Sequence, residues 1–416
     1  MFGRTVLKLN IKALKEISAL ILLYVLLLFS SGFYFQSFNG TISVGIMMIA
    51  AILLMCLYRD FYDKAFNRML FFCIVLSIIM GIIGLINKDG IKYIMLDITG
   101  IVIAMGIIYA LKHEEFFELF IKLVALISIF SLFFWGISYI EPKFIYLFPN
   151  IKNSQGFNSY FCIFAFVNFA NMRNYGIFWE PGAFAVFLSL AMLLEVFRKD
   201  KTRWGVIFLL TITILTTYST LGIVSLGLIF LIWILKKREK IWFKGFKICL
   251  FLLLCLLSFY FLIKIEPDFK YAFIDKLLGI FDSTTKNDSI LVRKNSFIEL
   301  FDLFVNSPLI GVGYSGIQQK SLELGMDCAT MTTFYWFARY GIAIGCVLLF
   351  GIFKFSFLLT KNYFLQLMIV GSIVLFTATE CLPFNPCFLV FPLYGYYGGL
   401  DKRRSLICYE ENHFCV

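Results

Sequence analysis

The sequence has few charged residues for its length. Only 15% of its 416 residues are Asp, Glu, Lys or Arg, whereas soluble globular domains average about 25%. Too little polar surface is therefore available to cover a soluble fold of this size. The composition excludes an ordinary soluble enzyme and points to a chain whose solvent is largely lipid.

The sequence also lacks the short motifs that mark common nucleotide and metal sites. It contains no D-x-D for a metal-bound sugar nucleotide, no G-x-x-x-x-G-K-[ST] for ATP and no G-x-S-x-G. Its 11 cysteines lie mostly in apolar runs and form no C-x-x-C, so we expect no metal, redox centre or other cofactor. Cys328, Cys381 and Cys387 could pair near one side of the membrane, but free, packed thiols are the expected state.

Hydrophobic residues, in contrast, make up 61% of the chain. Twelve apolar runs approach the roughly 20 residues that a helix needs to cross a bilayer. They lie near 17–38, 41–58, 69–87, 91–111, 117–140, 177–197, 204–219, 220–235, 246–264, 331–353, 364–380 and 387–400. We predict an all-α polytopic membrane protein with about 12 transmembrane helices in one domain, residues 1–416.

The net charge of +11 is concentrated in short connectors such as RKDKTR and KKREKIWFKGFK. These connectors fall on alternate sides of successive spans, and the positive-inside rule then places both termini in the cytoplasm. Because topology explains the basicity, we expect membrane lipids, not nucleic acid, as the partner of these side chains. The N-terminal apolar run has no cleavage site and is predicted to be a retained helix.

Two segments, residues 141–175 and 265–330, are longer than the other connectors, and the topology places both on the outer, periplasmic face. The apolar stretch of the first is too short to span and is predicted to be re-entrant or interfacial. In the second, Asp288 or Ser289 offers an N-cap, and apolar residues recur at helical spacing as far as Val305. We predict an amphipathic helix there, lying on the membrane.

Two arginines in these loops are candidate anion-binding residues. Pro181 favours the first turn of a helix, which makes Glu180 the expected N-cap and places Arg173 just outside the helix start. The free N–H groups of that start and a guanidinium both attract phosphate. Alternatively, Arg173 contacts lipid headgroups or pairs with Glu180. Arg293 lies on the polar face of the amphipathic helix and either covers the same region or is simply solvated.

Two further charges fall within or at the end of predicted spans. Arg339 lies one to two turns into an apolar run, so it needs a partner or a water-filled cavity. Glu380 lies at the outer end of the next span, and the two side chains could pair or share a cavity. Both histidines, His113 and His413, are in predicted cytoplasmic segments. An outer-face general base would then be a carboxylate: Glu180, Glu380 or Asp327.

The segment GVGYSG, which contains Gly311, Gly313 and Tyr314, formally matches G-x-G-x-x-G. We do not expect it to bind a dinucleotide, because no strand precedes it and no convincing helix opens at it. A backbone nest for an anion and a tight turn are the remaining interpretations. The hydroxyls of TTYSTLG, residues 216–222, are expected to bond back to the helix backbone.

Four segments together resemble a known family: RNYGIFWEPGAFA, LTTYSTLG, LVRKNSFIELFDLFVNSPLIGVGYSG and FARYGIAIG. In this order, on about 12 helices, they resemble the O-antigen polymerase (Wzy-type) branch of the O-antigen polymerase and ligase superfamily, from about Arg173 to Gly345. The resemblance implies a glycosyltransferase of the GT-C type in the bacterial inner membrane, active on the periplasmic face. It would move the growing glycan from undecaprenyl diphosphate onto the next carrier-linked repeat unit. A chain-length regulator could be a further partner.

Ligases of the superfamily resemble one another in an outer histidine just ahead of the A-x-Y-G segment. Here the neighbourhood reads CATMTTFYWFARYG, without histidine, which favours a polymerase over a ligase. A lipid-linked oligosaccharide flippase is the alternative from another class, since it too needs arginines in an outer cavity.

The chemistry of this reaction suggests roles for the candidate residues. Breaking a glycosidic bond to diphosphate develops negative charge on the leaving group, and with no metal motif the protein must supply fixed positive charge. We expect Arg173 and Arg293 to do so, with Glu180 as the first choice of base and Glu380 as the second. The substrate site is expected to include Arg173, Arg293, Arg339, Glu380, Gly311, Gly313 and Tyr314.

Overall fold

A computed structural model describes residues 2–31, 40–58, 64–152, 158–169, 173–237, 288–325, 330–378 and 380–411. These residues form fourteen helices and three short strands. The first seven helices are α1 (Phe2–Ser31), α2 (Gly40–Leu57), α3 (Lys64–Ile86), α4 (Ile91–Ala110), α5 (His113–Ile140), α6 (Pro142–Ile145) and α7 (Pro181–Val196). The others are α8 (Trp204–Thr216), α9 (Thr220–Lys236), α10 (Asp288–Asn306), α11 (Gly313–Leu324), α12 (Thr332–Leu359), α13 (Tyr363–Phe376) and α14 (Pro386–Glu411).

Five of the described helices are long and apolar enough to cross a membrane by length and composition: α1, α3, α4, α5 and α12. Five further apolar helices, α2, α7, α8, α9 and α13, are shorter. The prediction of a mostly helical, multi-pass membrane protein is therefore confirmed. The predicted run at 246–264 lies outside the described residues, and each of the other predicted runs overlaps a helix. Twelve spans remain a prediction.

Helix α7 lies at the centre of the bundle. All 16 of its residues are buried, as expected for a helix that is apolar on every side. It packs against α5, α8, α9 and α13. Large apolar side chains elsewhere point outward, for example Phe71, which is 69% exposed, as a lipid-facing surface requires. Because the whole length of α7 is enclosed by other helices, polar groups near it are expected at its two ends.

The outer segment 141–175 contains a structure that the sequence did not predict. After the short helix α6, strands β1 (Asn150–Lys152), β2 (Asn158–Phe161) and β3 (Phe166–Val167) form an antiparallel sheet in that order. The all-α expectation is wrong for this segment, because strands of two to four residues are too short to show an alternating pattern. The pairing satisfies the main-chain groups of a segment that does not span the bilayer.

Helix α10 has the bounds that its N-cap and periodicity predicted. Its protein-facing side includes Ser296, which is completely buried, whereas Val305 on the opposite side is 55% exposed. The hydroxyl of Thr330 donates to Ser296 Oγ at 2.7 Å, and α10 packs against α12. Arg293 precedes Ser296 by three residues and so lies on the same side. The side of α10 that carries Arg293 and Ser296 is therefore turned toward the protein, together with the fully buried Leu300, whereas Asp302 is exposed.

One of the three outer cysteines, Cys387, is a buried free thiol, which confirms the state expected for it. Cys381 is partly buried. Cys328, like the candidate base Asp327, lies outside the described residues.

Candidate functional site

Arg173 is anchored to the C-terminal end of α8. Its Nε donates to the carbonyl oxygen of Thr217 at 2.8 Å, and its Nη2 donates to that of Tyr218 at 3.0 Å. The next residue, Asn174, donates from its side-chain amide to Thr216 Oγ1 at 3.0 Å. Carbonyls at a helix C-terminus carry partial negative charge. The arginine is thus both neutralised in part and held in a fixed orientation.

Tyr218 lies in the break between α8 and α9 with a positive φ of 47°. For a residue other than glycine this conformation is uncommon, and such positions cluster at functional sites. The conformation turns the carbonyl of Tyr218 toward Arg173. The hydroxyls of Thr216 and Thr217 accompany it by donating to carbonyls of α8, as the sequence predicted for TTYSTLG.

The N-terminus of α7 is built as the sequence indicated. Glu180 has an extended backbone and is the N-cap, and Pro181 is the first helical residue. The side chain of Glu180 makes no capping hydrogen bond and is exposed. An ideal Cβ placed on Gly182 would lie 2.0 Å from Glu380 Oε1, so the carboxyl of Glu380 rests directly on the first turn of α7.

Glu380 is held in place through its main chain. The hydroxyl of Thr332, the first residue of α12, donates to the carbonyl oxygen of Glu380 at 2.5 Å and accepts from the N–H of Leu382 at 2.9 Å. The residue is only 2% exposed. Among the described residues, Oε1 of its carboxyl has no hydrogen-bond partner.

Arg173, Arg293, Glu180 and Glu380 lie within electrostatic range of one another; we call them the arginine–carboxylate cluster. Burial is the main cause of the lowered pKa of Arg173; Tyr175 opposes this shift, Arg293 adds to it, and both glutamates oppose it. Burial also raises the pKa of Glu380 well above its ordinary value, Glu180 raises it further, and the two arginines lower it. Three distant parts of the chain, residues 173–180, α10 and the segment before α14, therefore converge at the start of α7.

Arg339 does not take part in this cluster as an ion pair. Its Nη2 lies 2.6 Å from Oδ2 of Asp97 on α4, and its Nη1 donates to the hydroxyl of Tyr335 at 2.7 Å. The hydroxyl of Tyr340 donates to the same carboxylate at 2.6 Å. The suggestion that Arg339 pairs with Glu380 is wrong, because Asp97 supplies the countercharge.

The segment GVGYSG starts a helix, which corrects the expectation that none opens there. Gly313 is the first residue of α11 and has a φ of 71°. The N–H groups of Tyr314 and Ser315 donate to the two carboxylate oxygens of Asp89, at 2.9 and 2.8 Å. The anion bound by this nest is therefore a carboxylate of the chain itself.

The same segment closes a break in α12. Gly341 has a φ of 75° within that helix, and the main chain of residues 308–312 bonds on both sides of it. The N–H of Val312 donates to the carbonyl of Ala338, and the N–H of Ile342 donates to that of Pro308, both at 2.8 Å. These bonds satisfy groups that a kink leaves without a helical partner. Gly311 contacts the α12 main chain so closely that a Cβ would lie 2.5 Å from the carbonyl of Arg339.

Asp89 and Asp97 are two acidic residues of this region that sequence reasoning missed. Asp97 stands in the apolar run IKYIMLDITG, and an acidic residue within a predicted span is a signal in its own right. Asp89 lies in the turn NKDG between α3 and α4. Nothing in that turn indicates a contact with a helix more than 200 residues further along the chain.

The opposite end of α7 carries a different set of charges. Glu195 is completely buried, and its Oε2 lies 2.7 Å from Nη2 of Arg203, whose Nη1 is 2.7 Å from Glu118 Oε1. Arg198 approaches Glu118 at 3.4 Å. These ion pairs hold the connector RKDKTR, whereas the arginine–carboxylate cluster has an unsatisfied carboxyl oxygen. Within the described part of the chain, the N-terminal end of α7, and not its C-terminal end, has the features of a ligand site.

These observations define a multi-pass helical membrane protein with arginines and carboxylates gathered at the start of a central buried helix. Residues 205–327 match the model of the O-antigen ligase family, Wzy_C. The match confirms the resemblance to the O-antigen polymerase and ligase superfamily. The matched region includes Arg293 and GVGYSG, while Arg173 and Glu380 lie outside it. No curated protein and no solved structure matches the chain.

Proposed function

We propose that this chain is an O-antigen polymerase that transfers the growing glycan from undecaprenyl diphosphate onto a carrier-linked repeat unit. It would be a metal-independent glycosyltransferase of the GT-C type in the bacterial inner membrane. The observation that carries the proposal is the convergence of Arg173 and Arg293 at the start of α7. The match to the O-antigen ligase family supports an enzyme that acts on lipid-linked sugars.

The two arginines would stabilise the leaving diphosphate. Negative charge accumulates on that group as the glycosidic bond breaks, and oriented cations in a water-poor site stabilise it without reorganising. Arg173 is oriented by the carbonyls of Thr217 and Tyr218. Arg293 is brought in by the protein-facing side of α10. The first N–H groups of α7 add the positive end of a helix dipole.

In the reaction, a hydroxyl of the acceptor sugar attacks the anomeric carbon of the donor glycan. The bond between that carbon and the diphosphate oxygen breaks, and its electron pair leaves with the diphosphate. The proton of the hydroxyl passes to a carboxylate of the cluster, Glu180 or Glu380. Gly311 would support the site through its close contact with the α12 main chain at Arg339, and Gly313 and Tyr314 would do so by fixing the start of α11 to Asp89.

The sequence of the stretch just ahead of ARYG, which contains Thr332, favours a polymerase over a ligase. The stretch ahead of ARYG contains no histidine, and a threonine hydroxyl, that of Thr332, makes the contact to the Glu380 main chain. In the proposed topology both termini are cytoplasmic, and the cluster opens to the periplasm. The ion pairs of Glu195 and Arg203 then lie on the cytoplasmic side, where a basic connector is expected.

The direct test uses purified protein in lipid with undecaprenyl-diphosphate-linked repeat units. The wild type should lengthen the glycan, and Arg173→Ala or Arg293→Ala should lower the rate at least about 100-fold, the scale for loss of a preorganised donor. Arg198→Ala is the matched control, because it removes a guanidinium at the other end of α7 and should leave the rate unchanged. Transfer onto lipid A-core alone would indicate a ligase. Movement of the lipid across the bilayer without a new bond would indicate a flippase.

A further inference from the structure

Glu380 is an unusual residue for the interior of this protein. It is 2% exposed, and its Oε1 has no hydrogen-bond partner within the described part of the chain. Leaving a polar oxygen buried and unpaired costs about 1–3 kcal/mol, and native proteins rarely accept that cost without a functional reason. The oxygen lies against Gly182, in the first turn of α7.

The charges around this carboxyl come from two other parts of the chain, residues 173–180 and α10. Glu180 precedes α7, Arg173 lies in the loop bonded to α8, and Arg293 belongs to α10; each of them acts on Glu380 electrostatically. From α12, Thr332 contributes only an uncharged hydroxyl, which binds the main chain. The carboxyl of Glu380 therefore lies within electrostatic range of two cations and one further carboxylate, at the place where a bound diphosphate would lie.

Glu180 and Glu380 differ in the property that matters for proton transfer. Glu180 is exposed to solvent at the helix start, whereas Glu380 is enclosed. A carboxylate removed from water is a stronger base, and burial indeed raises the pKa of Glu380 well above its ordinary value. Because Oε1 has no hydrogen-bond partner among the described residues, the carboxyl has the capacity to bind a hydroxyl of a ligand.

We infer that Glu380, and not the neighbouring Glu180, is the catalytic base that takes the proton of the acceptor hydroxyl. This assignment depends on the proposed glycosyl transfer and narrows it to one carboxylate. The acceptor oxygen forms its bond to the anomeric carbon while its O–H bond breaks and the proton passes to the Glu380 carboxylate. The electron pair of the broken glycosidic bond leaves on the diphosphate, beside Arg173 and Arg293. The carboxyl later returns the proton to water.

The experiment compares Glu380→Gln, Glu380→Asp and Glu180→Gln in the purified polymerisation assay. Glu380→Gln keeps the shape of the side chain but removes the base, so we expect kcat to fall by about 10²–10⁴-fold with little change in KM for the donor. Glu380→Asp should retain part of the rate, because it keeps a displaced carboxylate. Glu180→Gln should lose much less than Glu380→Gln. Glu141→Gln, an exposed glutamate at the same end of the bundle, is the control and should match the wild type.

The pH dependence separates a base from a purely structural group. The wild-type rate should fall as acid protonates Glu380, and that limb should lie at higher pH than an exposed glutamate would give. The residual rate of Glu380→Gln should lack the limb. A fully active Glu380→Gln would overturn the assignment, since a neutral amide can donate or accept a hydrogen bond but cannot take up the proton. A large loss of rate in Glu180→Gln together with a small loss in Glu380→Gln would also overturn the assignment.

The same assay distinguishes an error in the assignment of Glu380 from an error in the proposed function. A wild type that lengthens the glycan, together with a fully active Glu380→Gln, removes only the role of Glu380. A wild type that transfers glycan to no acceptor, although it is folded and supplied with donor, overturns both.

Discussion

Nε of Arg173 lies 2.8 Å from the carbonyl oxygen of Thr217. This contact joins RNYGIFWEPGAFA to LTTYSTLG, and the whole of α7 and α8 lies between its two residues in the sequence. It places a permanent positive charge at the C-terminal end of α8 and close to the N-terminal start of α7. The guanidinium can therefore bind an anion, because its hydrogen bonds to the carbonyls of Thr217 and Tyr218 keep it from pointing toward lipid.

Replacement of Arg173 by lysine tests whether geometry or charge alone is needed. Lysine keeps the positive charge but cannot reproduce the two hydrogen bonds to Thr217 and Tyr218, because an ammonium lacks the planar fork of a guanidinium. We expect Arg173→Lys to lower the polymerisation rate about 100-fold, with normal protein levels. Glycan ladders of wild-type length from this variant would show that only the charge matters.

Gly182→Ala tests the contact between the start of α7 and Glu380. A Cβ at this position would lie 2.0 Å from Glu380 Oε1, so the flexible carboxyl must move while the helix stays in place. Since a displacement of about 1 Å at a reacting group can cost about 100-fold in rate, we expect kcat to fall on that scale without loss of thermal stability. Adding Glu380→Asp should recover part of the rate, because the shorter side chain avoids the new methyl. Gly227→Ala, where nothing lies within 4 Å, is the control. Equal rates for wild type and Gly182→Ala would contradict the contact.

The stability of the protein should respond to pH through Glu380. Burial raises the pKa of this carboxyl in the folded state, so the neutral form favours folding. That contribution is complete below the ordinary value of 4.5 and is lost as pH rises through the raised value. Glu380→Gln, which stays neutral, should therefore melt at a higher temperature than the wild type near pH 8, with a smaller difference near pH 4. Melting curves in detergent at both pH values test this, and a difference that does not change with pH would refute it.

Asp97 and Arg339 should be coupled energetically. Both side chains are almost fully enclosed, and their charged atoms are 2.6 Å apart. Asp97→Ala leaves a buried guanidinium without its countercharge, for which the expected cost is about 3–5 kcal/mol. A second substitution, Arg339→Met, should recover much of that loss, because no isolated charge then remains. Additive losses in the double variant, measured by unfolding in detergent, would count against a coupled pair.

Gly341 should tolerate no side chain. Its φ of 75° is unfavourable for other residues, and a Cβ would lie 2.2 Å from the carbonyl oxygen of Leu309, a main-chain atom that cannot easily move. We expect Gly341→Ala to reduce the amount of folded protein severely. Gly371→Ala in α13, where nothing lies within 4 Å, should be neutral or slightly stabilising. Similar yields for the two variants would mean that the docked 308–312 segment adapts to the added methyl.

Local sequence features predicted much of the frame of the site. Pro181 indicated the start of α7, and the N-cap and periodicity of 288–306 indicated α10 with its polar face. Both signals depend only on residues close together in the sequence, so they can be recognised without knowledge of the tertiary contacts. The sequence also singled out Arg173 and Glu180 beside the predicted helix start, Arg293 on the polar face of the amphipathic helix and Glu380 at the end of a predicted span. The structure brings these four within electrostatic range of one another.

The partners of the charges could not be found in the same way. Asp97 binds Arg339 and Asp89 binds the start of α11 across more than 200 residues of sequence, and no local pattern encodes which acid meets which base. The small outer sheet was missed because its strands are too short to show a period.

The sequence by itself determined that the chain is a helical membrane protein, since the transfer of apolar side chains into lipid depends on composition and run length alone. It also identified the few charged residues beside or within apolar runs that are candidates for a functional site. Only the tertiary structure decided that the carboxyl of Glu380 rests on Gly182 while Arg339 turns to Asp97, because such choices depend on how buried helices pack and on which countercharge lies within reach.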